Sequence, residues 1–268
     1  MREITFVEKI SDFSKTLDID IVSRFVAFEE ISSTNFKAKE LALKNEEHGT
    51  IVISQVQKKG RGRFERTWES PEGGLYFSII LKPKIETLKA TLLPLIGALS
   101  VCNTISSIAD LYVKIKWPND VLINGKKVCG ILLESESEKN NLKYVILGIG
   151  INLNTDMSIL SPDIKLISTS ISNEIGIKLN YFDFLNKLLI NLDKYYKMFV
   201  EEKFESIIKE WKNNSDTIGK KVVIDTSTEK ISGTAIDVDE SGFLIVKTDV
   251  GEIKKITSGD CIYLDKKE

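Results

Sequence analysis

Hydrophobic spacing in this chain switches repeatedly between a helical and an extended period before residue 218, and stays extended afterwards. In residues 1–20, Phe6, Ile10, Phe13 and Leu17 recur at helical spacing among charged neighbours and predict one amphipathic helix or arm. Arg24 to Ile31 reads as a strand. Ser32-Ser33-Thr34-Asn35 then offers several capping side chains ahead of a helix reaching about Lys44. Ile51 to Val56 is a short β-branched strand. Leu75 to Leu81, entered through Gly73-Gly74, is almost wholly apolar, as for a central strand covered on both faces. Leu88 to Ile108 is predicted helical with an irregularity at Pro94. Strands follow at about 112–117, 120–124 and 128–135, the last two joined by the hairpin pair Asn124-Gly125, and another at 143–152. From Phe182 to Trp211 one long helical face carries Leu185, Leu188, Leu189, Leu192, Tyr195 and Tyr196.

Beyond Ile218 the runs are short, at 221–225, 231–237, 243–248, 252–256 and 261–264, with Gly233, Gly242, Gly251 and Gly259 between them. Such spacing predicts a separate small β-barrel. With 42% hydrophobic and 28% charged residues, the composition is that of a soluble globular protein. A formal net charge of -2 argues against a general nucleic-acid binder but leaves room for local basic sites. Cys102, Cys129 and Cys261 are far apart in apolar surroundings and read as small core side chains, neither disulfides nor a zinc site. No signal peptide opens the chain and no uninterrupted apolar run reaches transmembrane length, so a cytoplasmic protein without membrane contact is the expectation.

Charge type changes the picture at one place. Three of the five arginines, Arg61, Arg63 and Arg66, fall within six residues, beside Gly60, Gly62, Lys58 and Lys59. A guanidinium fork grips paired oxygens of phosphate or carboxylate, and glycines let the backbone approach closely. The segment reads as an anion clamp; a solvated surface loop is the plainer alternative, and a nucleic-acid contact the weaker one.

Several further segments line up in order: Ser33-Thr34-Asn35, then Gln57 and the Gly/Arg run, then Arg66-Thr67-Trp68-Glu69-Ser70-Pro71 with Gly73-Gly74-Leu75-Tyr76. Lys116-Trp117-Pro118-Asn119-Asp120 follows, then Asn124-Gly125-Lys126-Lys127, Gly130-Ile131-Leu132-Leu133-Glu134, and Gly148-Ile149-Gly150-Ile151-Asn152. Together they closely resemble the biotin protein ligases, over roughly residues 24–264. The resemblance implies an α+β fold: a mixed-sheet catalytic domain of the biotin/lipoate ligase type over 24–217, preceded by the arm or helix 1–23 and followed by the small C-terminal β-barrel 218–268. It implies that biotin's carboxylate attacks the α-phosphorus of ATP, with Mg²⁺, to give biotinyl-5'-AMP, and that a lysine of a biotin carboxyl carrier protein then takes the biotin. A homodimer is plausible by the same resemblance. The arm is too short for the winged helix-turn-helix of the repressor members, so the monofunctional form without DNA binding is expected.

The resemblance also assigns roles. Arg61, Arg63 and Lys127 would hold phosphoryl oxygens and the biotin carboxylate. Ser33, Thr34, Gln57, Gly60 and Gly130 would join them around biotin, the first three at the ureido ring. Simple helix capping is the alternative for Ser33 and Thr34. Arg63, Arg66, Trp68, Asn119 and Asn152 would face the nucleotide. Asp120 is the candidate for orienting or deprotonating the carrier lysine, with a weaker role as a magnesium ligand; turn capping is the plainer reading of Asp120 and Asn152. Trp117 would be structural. Phe64-Glu65 departs from the common bacterial pattern, which has Arg-Gly there; Glu65 is expected to face solvent. Gly251-Glu252-Ile253 is kept, but the arginine that follows soon after in some members is not; Lys254 or Lys255 would be the substitute for its ATP contact, neither at the matching position. A non-catalytic sensor of biotin or nucleotide and a lipoate ligase are the competing readings.

Overall fold

The computed structural model describes residues 4–139, 141–226 and 228–264; the remaining ends of the arm and of the C-terminal unit lie outside the described residues. Helix α1 (Phe6–Ser14) opens with a capping box in which Thr5 and Glu8 satisfy each other's backbone N–H groups. Then come β1 (Arg24–Ile31), α2 (Thr34–Leu43), β2 (Thr50–Gln57) and β3 (Leu75–Leu81), followed by α3 (Leu93–Ser106) and β4 (Val113–Lys116). Next are β5 (Asp120–Ile123), β6 (Lys126–Glu138), β7 (Asn141–Ile151), α4 (Pro162–Ile167), α5 (Ile171–Ile175), α6 (Tyr181–Val200) and α7 (Phe204–Asn214). The chain ends with β8 (Lys221–Asp225), β9 (Lys230–Val238), β10 (Leu244–Thr248), β11 (Ile253–Ile256) and β12 (Asp260–Tyr263).

The first seven strands form one mixed sheet in the order β1-β2-β3-β7-β6-β5-β4, with β1 parallel to β2 and the other neighbours antiparallel. Alternation sorts its side chains. Ile51, Ile53, Phe77, Ile79, Val145 and Leu147 belong to the main core with α3 and α6, whereas Val52, Ile80, Tyr144 and Ile146 pack with Ala38 and Ala42 of α2 on the opposite face. Asn124 and Gly125 both take positive φ in the β5–β6 turn, as a two-residue hairpin of this type requires. The three cysteines are free and buried.

Three expectations change. The predicted β-barrel is overturned: the C-terminal strands make an open five-stranded sheet, β11-β10-β9-β8-β12, in which no ladder joins β11 to β12. Alternation and glycine spacing specify strands; closure requires the two edge strands to pair, and here they do not. The architecture is therefore a mixed α/β fold with two sheets. The single helix expected over 182–211 is two, α6 and α7, because Glu202 takes φ +57 between them. Finally, residues 87–106 are long and apolar enough to cross a membrane by length and composition, yet 72% of that window is buried inside the protein, against β4–β7, α6 and α7. It is a core helix, with Pro94 in its first turn after a 3₁₀ segment, where proline is tolerated.

Candidate active site

A cavity of about 210 Å³ opens where side chains vanish from the α2 face of the large sheet. Tyr144 and Ile146 fill that face of β7, but the next residues of the same parity are Gly148 and Gly150. One register partner of each is small too: Ser78 opposite Gly148, and Gly130 opposite Gly150. Trp68 covers this bare floor. A Cβ at Gly150 would lie 2.6 Å from the indole Nε1, so only glycine admits the ring. That Nε1 is buried without a hydrogen-bond partner among the described residues, leaving a donor that an incoming polar ligand atom can satisfy.

Part of the cavity wall is neutral and polar. Ser33 caps α2, accepting from Phe36 N–H at 3.4 Å, while also lining the cavity, so capping and lining coexist. The Thr34 backbone N–H donates to Gln57 Oε1 at 2.8 Å, with the Thr34 hydroxyl 3.1 Å from the same oxygen, and Gln57 Nε2 donates to Ser70 at 2.9 Å. Another part is cationic. Lys127 Nζ stands 2.7 Å from Asp120 Oδ1 and 5.3 Å from the centre of the Trp68 ring. Arg63 donates to Ser258 Oγ at 3.2 Å and reaches Asn119 Oδ1 at 3.5 Å, the limit of a hydrogen bond. Arg66 pairs with Asp260, and Arg61 with Glu134 at 3.0 Å. Burial lowers the Arg63 pKa, while Asp260 and Asp120 oppose that shift and Arg66 adds to it. Arginine nevertheless stays charged in proteins.

The structure thus brings Ser33, Thr34, Gln57, Arg61, Arg63, Arg66, Trp68, Asn119, Asp120, Lys127, Gly130 and Asn152 to one cavity. Gly60 is not in its wall; its carbonyl accepts the Trp68 N–H at 2.9 Å and fixes the base of the loop. Asn152 is buried and donates to Thr169 O at 3.1 Å, so it also ties the 168–171 segment to β7. Trp117 is buried and braces the two sheets, its indole donating to Gly242 O at 3.1 Å. Glu65 is exposed. Lys254 and Lys255 pair with Glu229 and Asp239 and do not line the cavity. From the small sheet it is Asp260 that lines it. An apolar wall of Leu160, Ile164 and Ile167 is new to the structure. Its only sequence signal is an isoleucine- and leucine-rich stretch, 159–167, interrupted by Ser161-Pro162.

The chain matches the Biotin/lipoate A/B protein ligase family over residues 27–152 and the Biotin protein ligase C terminal domain over residues 217–263. The bifunctional ligase/repressor BirA of Bacillus spizizenii is 37% identical over 246 residues, covering 91% of this chain and 75% of that protein. The biotin–[acetyl-CoA-carboxylase] ligase of Paracoccus denitrificans is 30% identical over 223 residues, covering 82% and 92%. The biotin protein ligase from Aquifex aeolicus in complex with biotin and ATP superposes with a TM-score of 0.76 at 32% identity, covering 91% of this chain and all of that one. The protein belongs to the biotin/lipoate protein ligase family. Within it, similarity over both the catalytic segment and the C-terminal segment places the chain among the biotin protein ligases.

Proposed function

We propose that this protein is an ATP-dependent ligase that activates biotin and transfers it to a lysine of a biotin carboxyl carrier protein or domain. The observation that carries this reading is one cavity lined both by neutral hydrogen-bonding groups at Thr34 and Gln57 and by the cations Arg61, Arg63 and Lys127. Biotin has the matching polarity: a ureido ring at one end and a carboxylate at the other. In the first step a carboxylate oxygen attacks the α-phosphorus of ATP, a phosphoryl–acyl bond forms, and pyrophosphate leaves. The cations bring two anions together and stabilise the charge that develops on the phosphoryl oxygens. In the second step the carrier's ε-amine attacks the acyl carbon, an amide forms, and AMP leaves. The amine must first lose a proton, and Asp120 is the carboxylate we assign to orient or accept it. The Trp68 ring and the Leu160, Ile164 and Ile167 wall keep water from the mixed anhydride.

Among the described residues no three metal-ligating groups cluster. Asp120 and Asp260 line the cavity, each paired with a cation. A magnesium ion fits this donor set only as a companion of the triphosphate, with Asp120 offering a carboxylate oxygen as a hard cation prefers; bound there, it neutralises phosphate charge. We also propose that it acts as a ligase without repressor activity; among the described residues, helix α1 ahead of β1 packs on that strand.

Purified protein with ATP, magnesium and biotin should release pyrophosphate only when biotin and ATP are both present, and should then label a carrier domain. Transfer of lipoate in place of biotin, or tight biotin binding without pyrophosphate, would overturn the reading. Absence of a mobility shift with biotin-operon DNA is the expected result for the second claim, and a specific shift would overturn it.

A further inference from the structure

We infer that Glu134, held by Asn35, is a positioning residue for Arg61, and that it links the neutral part of the cavity wall to the arginine loop. The inference rests on the ligase reading above. Glu134 is not part of the cavity wall, yet its two carboxylate oxygens are divided between two donors: Oε1 takes Arg61 Nη1 at 3.0 Å and Oε2 takes Asn35 Nδ2 at 2.9 Å. Asn35 is itself fixed. It is 5% exposed, and its Oδ1 accepts from the fully buried Ser78 hydroxyl at 2.6 Å. That bond, with a carboxylate on the other side, allows only one orientation of the amide: oxygen toward Ser78, nitrogen toward Glu134. Gly148 makes the arrangement possible, because a Cβ there would collide with the Asn35 amide.

Ser78 faces two acceptors with one proton. With that proton given to Asn35, the Thr34 hydroxyl, 2.8 Å away on the other side, donates its own to Ser78, and the Thr34 backbone N–H donates onward to Gln57. A continuous hydrogen-bonded chain therefore runs from Gln57 and Thr34, through Ser78, Asn35 and Glu134, to Arg61. Its buried members leave it little freedom to rearrange. Nor does Glu134 sequester the arginine. A guanidinium carries five N–H donors, and the bond to Glu134 uses one nitrogen while Arg61 still lines the cavity. The carboxylate sets the direction in which the remaining donors point. A bidentate grip on the biotin carboxylate depends on that direction more than on charge alone.

Arg61 would grip the carboxylate before reaction, so loss of its alignment should appear mainly as weaker substrate binding. Glu134→Gln keeps size and removes the charge. The expected result is a rise in KM for biotin of about tenfold, with kcat changed less than about threefold. In an Arg61→Gln background the same substitution should add less than about twofold, because its effect acts through Arg61. A merely structural role would give additive losses. A second readout needs no ligand: trypsin should cut the 58–66 loop of Glu134→Gln about fivefold faster than that of the wild type. Should Glu134→Gln fail to fold, Glu134→Asp, with the charge kept and the reach shortened, should fall between, and Asn35→Ala should mimic it. Unchanged KM and unchanged cleavage, or full additivity with Arg61→Gln, would overturn the inference. If the wild type released no pyrophosphate with biotin, the ligase reading would fail, and the cleavage rates would decide the positioning of Arg61 by themselves.

Discussion

Glu65 shows how much one backbone position can carry. It takes φ +59 directly after Phe64 at φ +53, where the resembled pattern has Arg-Gly. A side chain in the left-handed region costs about 1 kcal/mol relative to glycine. Glu65→Gly should therefore raise stability in urea melts by about 0.5–1 kcal/mol, whereas Glu65→Ala, which keeps the Cβ, should not. Both remove an acid from an anion loop, so both should lower the KM for ATP; a stability gain in both variants would refute the backbone argument. Lys127 and Asp120 invite a sharper division. Lys127→Ala removes a cation from the reacting phosphate and should slow formation of biotinyl-5'-AMP by about 10²–10³-fold. Asp120→Asn should slow transfer of preformed intermediate by about tenfold or more, and formation by less. The 2.7 Å ion pair between these two residues means that each substitution also frees its partner. Single-turnover assays of the separate steps are the measurement, and unchanged transfer in Asp120→Asn would remove its assigned role.

At the scale of elements, the cavity is made by omission. The α2 face of β7 runs Tyr144, Ile146, Gly148, Gly150, and the apolar side chains of the helix pack on only the first pair. Gly150→Val should displace Trp68 and weaken biotin binding by about tenfold or more while leaving the sheet folded, as read by calorimetry beside a thermal melt. The loop above this floor, 58–66, is tied to the body through side chains: Arg61 to Glu134, Arg63 to Ser258, Arg66 to Asp260. Ligand that bridges these arginines should slow proteolysis of the loop, and equal cleavage with and without biotin and ATP would show that it does not close. Most of this was legible beforehand. Alternation and the Asn-Gly turn placed the strands of both sheets within a residue or three, and capping residues placed α2. What stayed hidden has physical reasons. Helical periodicity continues across α6 and α7 because their buried faces share one core, and it carries no sign of the left-handed Glu202. Short α4 has too few turns to show a period. Asn35 and Glu134 fall inside the resembling segments but carry no role there, Asp260 falls outside them, and only the long-range pairing of strands and sheets gives these three the neighbours that assign one.

At the scale of the whole molecule, the two sheets meet around one site. Trp117 anchors the junction through Thr217 and Gly242, and Arg66 crosses it to Asp260. The site holds no histidine. The chain's single histidine, His48, lies instead between α2 and β2. Its Nδ1 accepts the Lys82 backbone N–H at 3.0 Å, and its ring packs 5.5 Å from that of Tyr196 on α6. An accepting nitrogen must be unprotonated. Burial, and secondarily the Lys82 charge, lower the His48 pKa below its ordinary 6.5. The sign follows from linkage. Between the ordinary and the lowered value the unfolded chain binds the proton and the folded chain does not, so stability falls as pH drops through that window. Above pH 6.5 the contribution is fully present. His48→Asn offers an amide oxygen that can accept the same N–H yet cannot titrate. Melting temperatures at pH 7.5 and 5.5 are therefore expected to differ less in His48→Asn than in the wild type, with the two proteins alike at the higher pH. Equal pH dependence in both would mean that His48 protonates as readily folded as unfolded. Activity at saturating substrate should follow the same course in both proteins, because the groups that bind and react at the cavity are carboxylates, lysine and arginines, and none of them contacts His48.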